Sequence, residues 1–480
     1  MKNKQDTSLR VVENGYATLY ILIFASVFLL LLFSLLGFVT VQTKVNMVKE
    51  NKDKSLQIAE AGLDYYRWFL AHFPNDLKDG TGLPGPYEHE YSDPEGGAIG
   101  KFSLVINGNQ KCNTLTSVDI NSTGWTYAKP EYTKEVYGRY ARPSVANYSY
   151  IINSNVWAGS GRNIKGRYHS NGGIRMDGVN QSLVTSAVSD WQCTGSFGCS
   201  PAETKPGVFG SGSGFNLWDF PAASVDFVGL TTDFVNMKTQ AQADGLYFAS
   251  VGGQSNRGGY HAILNSDGTI TVYKVTRTRY HWGMHIDDLS QWQRDYYIIN
   301  RETLLGTYTI PSSCSMIFFE DRLWLEGTVK GKVTIASADV TQPNYDPEVI
   351  LRGNINYTTT DGSDGLTVLA ENSVVISPHS PNDLSLNGIF IAQKGYFGRN
   401  LYPCWYSDSD HKNLLTMNGS IVSNGRVGTK WGYSIGGCWN EWSGYNTRVN
   451  SYDRKLANDP PPLTPYVDDE YEFVEWREEK

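Results

Sequence analysis

The hydrophobic pattern changes twice along this chain. From Asn14 to Thr43 no residue is charged. The core of that stretch, YATLYILIFASVFLLLLFSLLGFVTV, exceeds the roughly 20 apolar residues that a bilayer-spanning helix needs. A secretory signal peptide has a shorter apolar region, about 7–15 residues, and a small-residue cleavage site after it; neither fits. After Val41 the pattern turns amphipathic. Val45, Val48, Leu56, Ala59, Leu63, Tyr66 and Leu70 keep steps of three and four, interrupted only by the charged stretch 49–54. That spacing predicts a helical stripe that a globular partner must cover. From Tyr16 to Phe73 one helix would run about 87 Å at 1.5 Å per residue. Pro, Gly and Asp in PNDLKDGTGLPGP (74–86) end it.

Beyond the helix the pattern is that of short strands. KFSLVIN, SVDINSTGW and EVYGRYARP predict a small β-rich region over 87–150, suited to covering the amphipathic half of the helix. Further on, SLNGIFIAQKGYFG (385–398) and TMNGSIVSNGRVG (416–428) share one grammar of apolar and Asn-Gly positions. WLEGTVKGKVTIAS, ILRGNINYTT, GLTVLAENSVVIS and, earlier, NIKGRYHSNGGIRMDG are related pieces. Strands recurring every 20–35 residues or so predict stacked coils. The expected fold class is α+β, mostly β: the long N-terminal helix, then a right-handed parallel β-helix (solenoid) with an α/β insertion. A β-sandwich with Gly-rich turns is the alternative. The expected organisation is a leader (1–15), the helix (16–73), the small β-rich region (87–150), a first solenoid part (151–200), the α/β insertion (215–312), the main solenoid (313–440), and a Pro-rich segment with a final strand (441–480). Within the insertion, Phe227, Leu230, Phe234, Val235 and Met237 have helical periodicity. YHAILNSDGTITVYKVTRT reads as a hairpin turning at NSDG.

A short basic leader, Gly15, the apolar helix and then AEAGL (Ala59, Glu60, Ala61, Gly62, Leu63) together resemble the N-terminal region of type IV pilin-like proteins, and most of all the PilX-type minor pilins. The resemblance implies that a prepilin peptidase cuts after Gly15, leaving Tyr16 as the new, methylated N-terminus. It departs from major pilins at Tyr20, the fifth position after the cut, where those carry a Glu thought to pair with a neighbour's N-terminus. That departure argues against a repeating shaft subunit. The remainder, with a strand–DGT–strand unit before GTVKGKVTIASAD, is similar to uncharacterised bacterial surface proteins with the same N-terminus, a likeness that implies no activity.

Charge and cysteines refine the picture. A net charge of −8 argues against a nucleic-acid partner held through phosphates. Lys2, Lys4 and Arg10 precede the span and Lys44, Lys49, Lys52 and Lys54 follow it, so the positive-inside rule leaves orientation open. The bulk beyond the span and its cysteines place that part outside the cytoplasm. Six cysteines without C-x-x-C spacing fit disulfides in an oxidising envelope, with buried free thiols as the alternative. Cys193 with Cys199 is the most local candidate pair, and Cys404 with Cys438 a second.

Candidate chemistry is sparse. His281 and His285 in HWGMH stand four apart, but the Glu of a zincin motif is missing and the flanks read as strand. His261 is a conceivable third ligand. Asp361 and Asp364 in TTDGSDG, and the SDSDH stretch (407–411), lack the spacing of a calcium loop and suit turns. No two carboxylates pair for acid–base work. The expectation is a non-enzymatic protein without metal or cofactor. It is a minor pilin or pseudopilin-like subunit with a tip or adhesive role, held in the cytoplasmic membrane and engaging other pilin-like subunits and the assembly machinery. The alternative is a membrane-anchored β-helix surface protein that binds glycans or a partner cell.

Overall fold

The computed structural model describes residues 16–93, 96–227, 233–251, 258–342 and 345–479. The protein is mostly β, with one long N-terminal apolar helix, Tyr16–His72. The leader and Gly15 lie outside the described residues, as does Leu230. Two compact units divide the chain. One comprises 1–106, 120–138 and 475–480, and the other 107–119 and 139–474.

The helix belongs to the first unit. Strands Tyr87–Asp93, Gly97–Lys111, Thr114–Thr126, Lys134–Ala141 and Glu472–Glu478 are hydrogen-bonded neighbours in that order, making a five-stranded sheet. The first two pair antiparallel, with Tyr87 opposite Leu104.

In the second unit the chain returns repeatedly to the same parallel ladders. One ladder aligns Leu246, Ile317, Ile335, Val368, Phe390, Ile421, Tyr150, Tyr168, Val184 and Trp218 in register. All of them lie in or against one hydrophobic core. Because side chains alternate across a strand, their neighbours form a second column on the opposite face. Phe318, Ala336, Leu369, Ile391, Val422 and Ile151 are aligned there in the same way and are buried in a separate cluster. That face is covered by helix Phe234–Ala243, whose Phe234, Met237 and Ala241 are buried in the cluster. It is also crossed by the C-terminal Pro-rich segment. There Thr334 donates to the Pro462 carbonyl, and the hydroxyls of Thr367 and Thr464 lie 2.7 Å apart.

A second ladder stacks Gly259–Leu264, Leu323–Val329, Val349–Tyr357, Val374–Ile376 and Phe397–Gly398 in parallel. A third stacks Val156–Ala158, Ile174–Met176 and Val208–Phe209. Strand Gly259–Leu264 also forms the hairpin with Thr269–Met284, which in turn pairs antiparallel with Trp292–Thr309. Strands Leu246–Phe248 and Gly259–Leu264, which lie in the 215–312 segment, pair into these ladders.

Spatial order in the first ladder is not chain order. Ile421 pairs with Tyr150, so the strands of 150–219 continue the stack beyond strand His411–Ser423. The ladder ends are Trp218–Asp219 and Leu246–Phe248. After the first of them the chain bonds to the exits of earlier strands: Ala222 N–H to the Ser186 carbonyl at 2.8 Å, then Val225 N–H to Asn171 Oδ1 at 2.9 Å.

The repeated Asn-Gly grammar aligns in register within one parallel pair. Asn387 lies opposite Asn418 and Gly388 opposite Gly419. Asn387 Nδ2 donates to the Ile355 carbonyl at 2.8 Å, and Ser451 Oγ donates to Asn418 Oδ1 at 2.9 Å. Gly419 has φ +134°, and a Cβ there would stand 2.0 Å from the Gly388 carbonyl oxygen. Both facts require glycine.

Disulfides join Cys112 to Cys314, Cys193 to Cys199 and Cys404 to Cys438. Cys112–Cys314 spans 202 residues and Cys193–Cys199 only 6. Loop-closure entropy grows with loop length, so the long bridge restricts the unfolded chain more.

Two stability effects are expected, both read by urea denaturation of the detergent-solubilised chain. Gly419→Ala destabilises by about 1–3 kcal/mol through its backbone conformation and the lost approach. Replacing Cys112 and Cys314 together by Ser costs about 2–5 kcal/mol, and more than replacing Cys193 and Cys199.

Candidate functional site

The helix that carries Ala59–Leu63 has two halves. Every residue from 16 to 47 is exposed. An 18-residue window of this part has mean hydropathy 2.8 with no buried residue, so it is long and apolar enough to cross a membrane. Three of its hydroxyls are satisfied locally. Ser26 donates to the Ile23 carbonyl, Thr40 to Leu36 and Thr43 to Val39, each at 2.8 Å. A hydroxyl bonded back to its own helix costs little in an apolar medium. Tyr16 and Tyr20 are 66% and 59% exposed, so at the fifth position a phenol projects where the resemblance would place a carboxylate.

The second half is seated on the sheet. Ser55, Ile58, Ala59, Gly62, Leu63, Tyr66, Phe69 and Leu70 are buried, a stripe of three- and four-residue steps. Within the signature, Ala59, Gly62 and Leu63 face the sheet, while Glu60 and Ala61 are half-buried. The small residues set how near the helix comes. A Cβ on Gly62 would stand 2.3 Å from Ser122 Oγ and 2.9 Å from the Phe102 ring. Across the contact, a Cβ on Gly124 would stand 2.4 Å from both Ala59 N and Ser55 O. With backbones this close, Ile58, Leu63 and Leu70 are buried along the seated face. Full burial of such a side chain is worth roughly 1.5–3 kcal/mol.

Polar contacts lock the seat at both ends. Ser55 Oγ donates to the Tyr132 carbonyl at 2.6 Å, and Tyr66 OH to the Asp76 carbonyl at 2.8 Å. Asp79, buried at φ +52°, accepts from Tyr65 OH at 3.1 Å and stands 2.6 Å from His89 Nε2. Burial, and then the Asp79 charge, push the Tyr65 phenol up to about 12.

The other residues singled out from sequence have local roles. His285 Nε2 stands 2.5 Å from Asp295 Oδ1. Burial pulls His285 down, but its hydrogen bond to Asp295 and the Asp295 charge outweigh that and raise it. Asp295 also accepts from Asn400 at 2.9 Å and Tyr402 at 2.8 Å. His281 stacks on Tyr406, with centroids 4.0 Å apart. Burial first, then the His379 and Arg279 charges, draw it down to about 4. His261 is bridged between Glu302 at 2.8 Å and Glu326 at 3.0 Å. Asp361 accepts from the Ser363 and Thr359 hydroxyls, and Asp364 from the Gly331 and Thr359 amides, both as turn formers. Among the described residues no three His, Cys, Asp or Glu side chains converge as a metal set.

Gly62→Val should cost about 1–3 kcal/mol by overpacking, with a matching fall in thermal midpoint. His281 gives a pH signature. An unfolded histidine titrates near 6.5. Between about pH 6.5 and 4 the unfolded chain therefore binds the extra proton, and the stability His281 contributes above that window is lost on acidification. His281→Phe keeps the stack on Tyr406 and should shrink the drop in thermal midpoint across that window. An unchanged drop would remove His281 as its source.

No family model matches the chain, and no curated protein matches it. Among solved structures it is similar to the crystal structure of the competence-associated pilin ComZ from Thermus thermophilus, with 11% identity and a TM-score of 0.31 over 89% of this chain and 97% of that one. A superposition this loose carries no argument about function.

Proposed function

We propose that the chain is a structural, pilin-like subunit of a type IV pilus or related envelope filament. It is held by its helix in the cytoplasmic membrane before assembly, with its body outside the cytoplasm. The observation that carries this reading is the single helix Tyr16–His72, bare and uncharged over 16–43 and seated through Ala59, Gly62 and Leu63 on a small sheet. A helix in that state needs an apolar surrounding, which lipid supplies before assembly and neighbouring copies' helices supply afterwards. The disulfides support an oxidising compartment for the body.

In this reading the in-register columns make the ladders the faces of one right-handed parallel β-helix. It is a rigid body displayed from the filament, suited to a tip position and to adhesion. We read the protein as non-enzymatic, since Asp295, the most buried carboxylate among the described residues, is committed to His285, Asn400 and Tyr402. Tyr20 favours a second reading, a membrane-anchored surface protein that binds glycans or a partner cell and stays out of filaments.

The N-terminal mass of the mature protein separates them. A chain starting at a methylated Tyr16 is expected for the filament subunit. A chain starting at Met1 would overturn processing and favour the second reading.

A further inference from the structure

The second unit holds a cleft of about 690 Å³, within the roughly 300–1,000 Å³ typical of ligand sites. Trp157 and Trp431 line it, together with four cationic side chains, Arg162, Arg426, Lys430 and Arg448. The one carboxylate of the lining, Asp177, is already held by Arg175 Nε at 2.8 Å, Trp157 Nε1 at 2.8 Å and Ser211 N–H at 2.9 Å. The cations themselves meet neutral acceptors. Arg162 Nη1 donates to Tyr150 OH at 3.1 Å, Lys430 Nζ to Asn446 Oδ1 at 2.6 Å and Arg426 Nη2 to the Ser196 carbonyl at 3.0 Å. Arg162 is only 6% exposed, and its Nε and that of Arg448 are buried without a partner among the described residues.

These groups are held in an unfavourable state. Burial, and then the neighbouring Arg162 charge, draw Arg448 down to about 10, and burial alone does the same to Arg426. Arg426 is fixed by stacking, 4.5 Å from the Phe197 centroid and 5.3 Å from that of Trp431. Stacking orients a guanidinium without neutralising it. In a chain of net charge −8, four clustered cations without a carboxylate counter-ion are a local arrangement and not a reflection of composition.

We propose that this cleft binds an acidic glycan, a sugar chain bearing carboxylate or sulfate groups. The cations would meet the acid groups through charge-assisted hydrogen bonds, and the half-buried Trp157 would give a sugar ring an apolar edge, while Trp431, 7% exposed beneath Arg426, packs the floor. A free inorganic anion is far smaller than the cleft. A single-stranded nucleic acid is the rival polyanion, and the titration below separates the two. The site names a ligand class for the body's adhesive surface and is independent of whether the chain enters a filament. Its failure would leave the N-terminal mass result standing, and the reverse holds too.

The test is calorimetric titration of the full chain in detergent with oligogalacturonate, dextran sulfate, neutral dextran and single-stranded DNA. At least one acidic glycan should bind about tenfold or more tighter than dextran, and more weakly as salt rises. The better of the two identifies carboxylate or sulfate as the acid group. Arg448→Gln should weaken that binding about tenfold, and Lys430→Gln, at a more open position, about threefold. The Lys430 variant keeps the test valid if Arg448→Gln fails to fold. Equal binding of dextran, no binding of either acidic glycan, tighter binding of DNA, or full affinity in folded variants would each overturn the proposal.

Discussion

An uncharged helix surface from residue 16 to 43 cannot remain in water, and the design of the first unit is a consequence of that. At roughly 25 cal/mol per Å² of apolar area, leaving such a surface solvated costs far more than a domain's net stability of about 5–15 kcal/mol. The surface must enter lipid or pack against other apolar helices. The same helix must also be rigidly tied to a folded body, or whatever holds one would not hold the other. The tie is the close approach at Ala59, Gly62 and Gly124, where absent side chains let the helix and sheet backbones nearly touch. Ser55 at one end, and Tyr65 through Asp79 to His89 at the other, then fix the contact.

The second unit meets a different demand. Its parallel strands need partners on both edges and cover on both faces. Register alignment supplies the first, one in-line column feeding the interior from Leu246 to Trp218. The outer column is closed by helix Phe234–Ala243 and by the segment through Pro462 and Thr464, pieces of chain that run across the strands. The pairing of Ile421 with Tyr150 joins the early strands to the late ones, so the stack depends on contacts between residues far apart in sequence. The 202-residue bridge from Cys112 to Cys314 serves the same end covalently.

The sequence carried the helix, its exposed half and the mostly β body, because periodicity is a local property. Hydropathy shows the stripe only in part: it includes the half-buried Leu56 and passes over the buried Ser55 and Gly62, whose smallness is what matters. The two Asn-Gly repeats were visible and proved to be register partners. The order of the ladder was not visible, since nothing near Tyr150 or Ile421 encodes their pairing. The cationic cleft was equally hidden. Arg162, Arg426, Lys430 and Arg448 are scattered through the chain and meet only where the strands of 150–219 stack on the later ones. Cys112 with Cys314 is hidden for the same reason, while proximity names Cys193 with Cys199.

The central claim is that one helix serves two surroundings, its first half requiring an apolar medium and its second half belonging to the sheet. Hydrogen exchange on a chain lacking residues 1–43 tests this most directly. The account predicts a protein soluble without detergent in which the amides of 55–70 stay protected nearly to the global unfolding limit. Free exchange across 55–70 in a body that remains folded would contradict it.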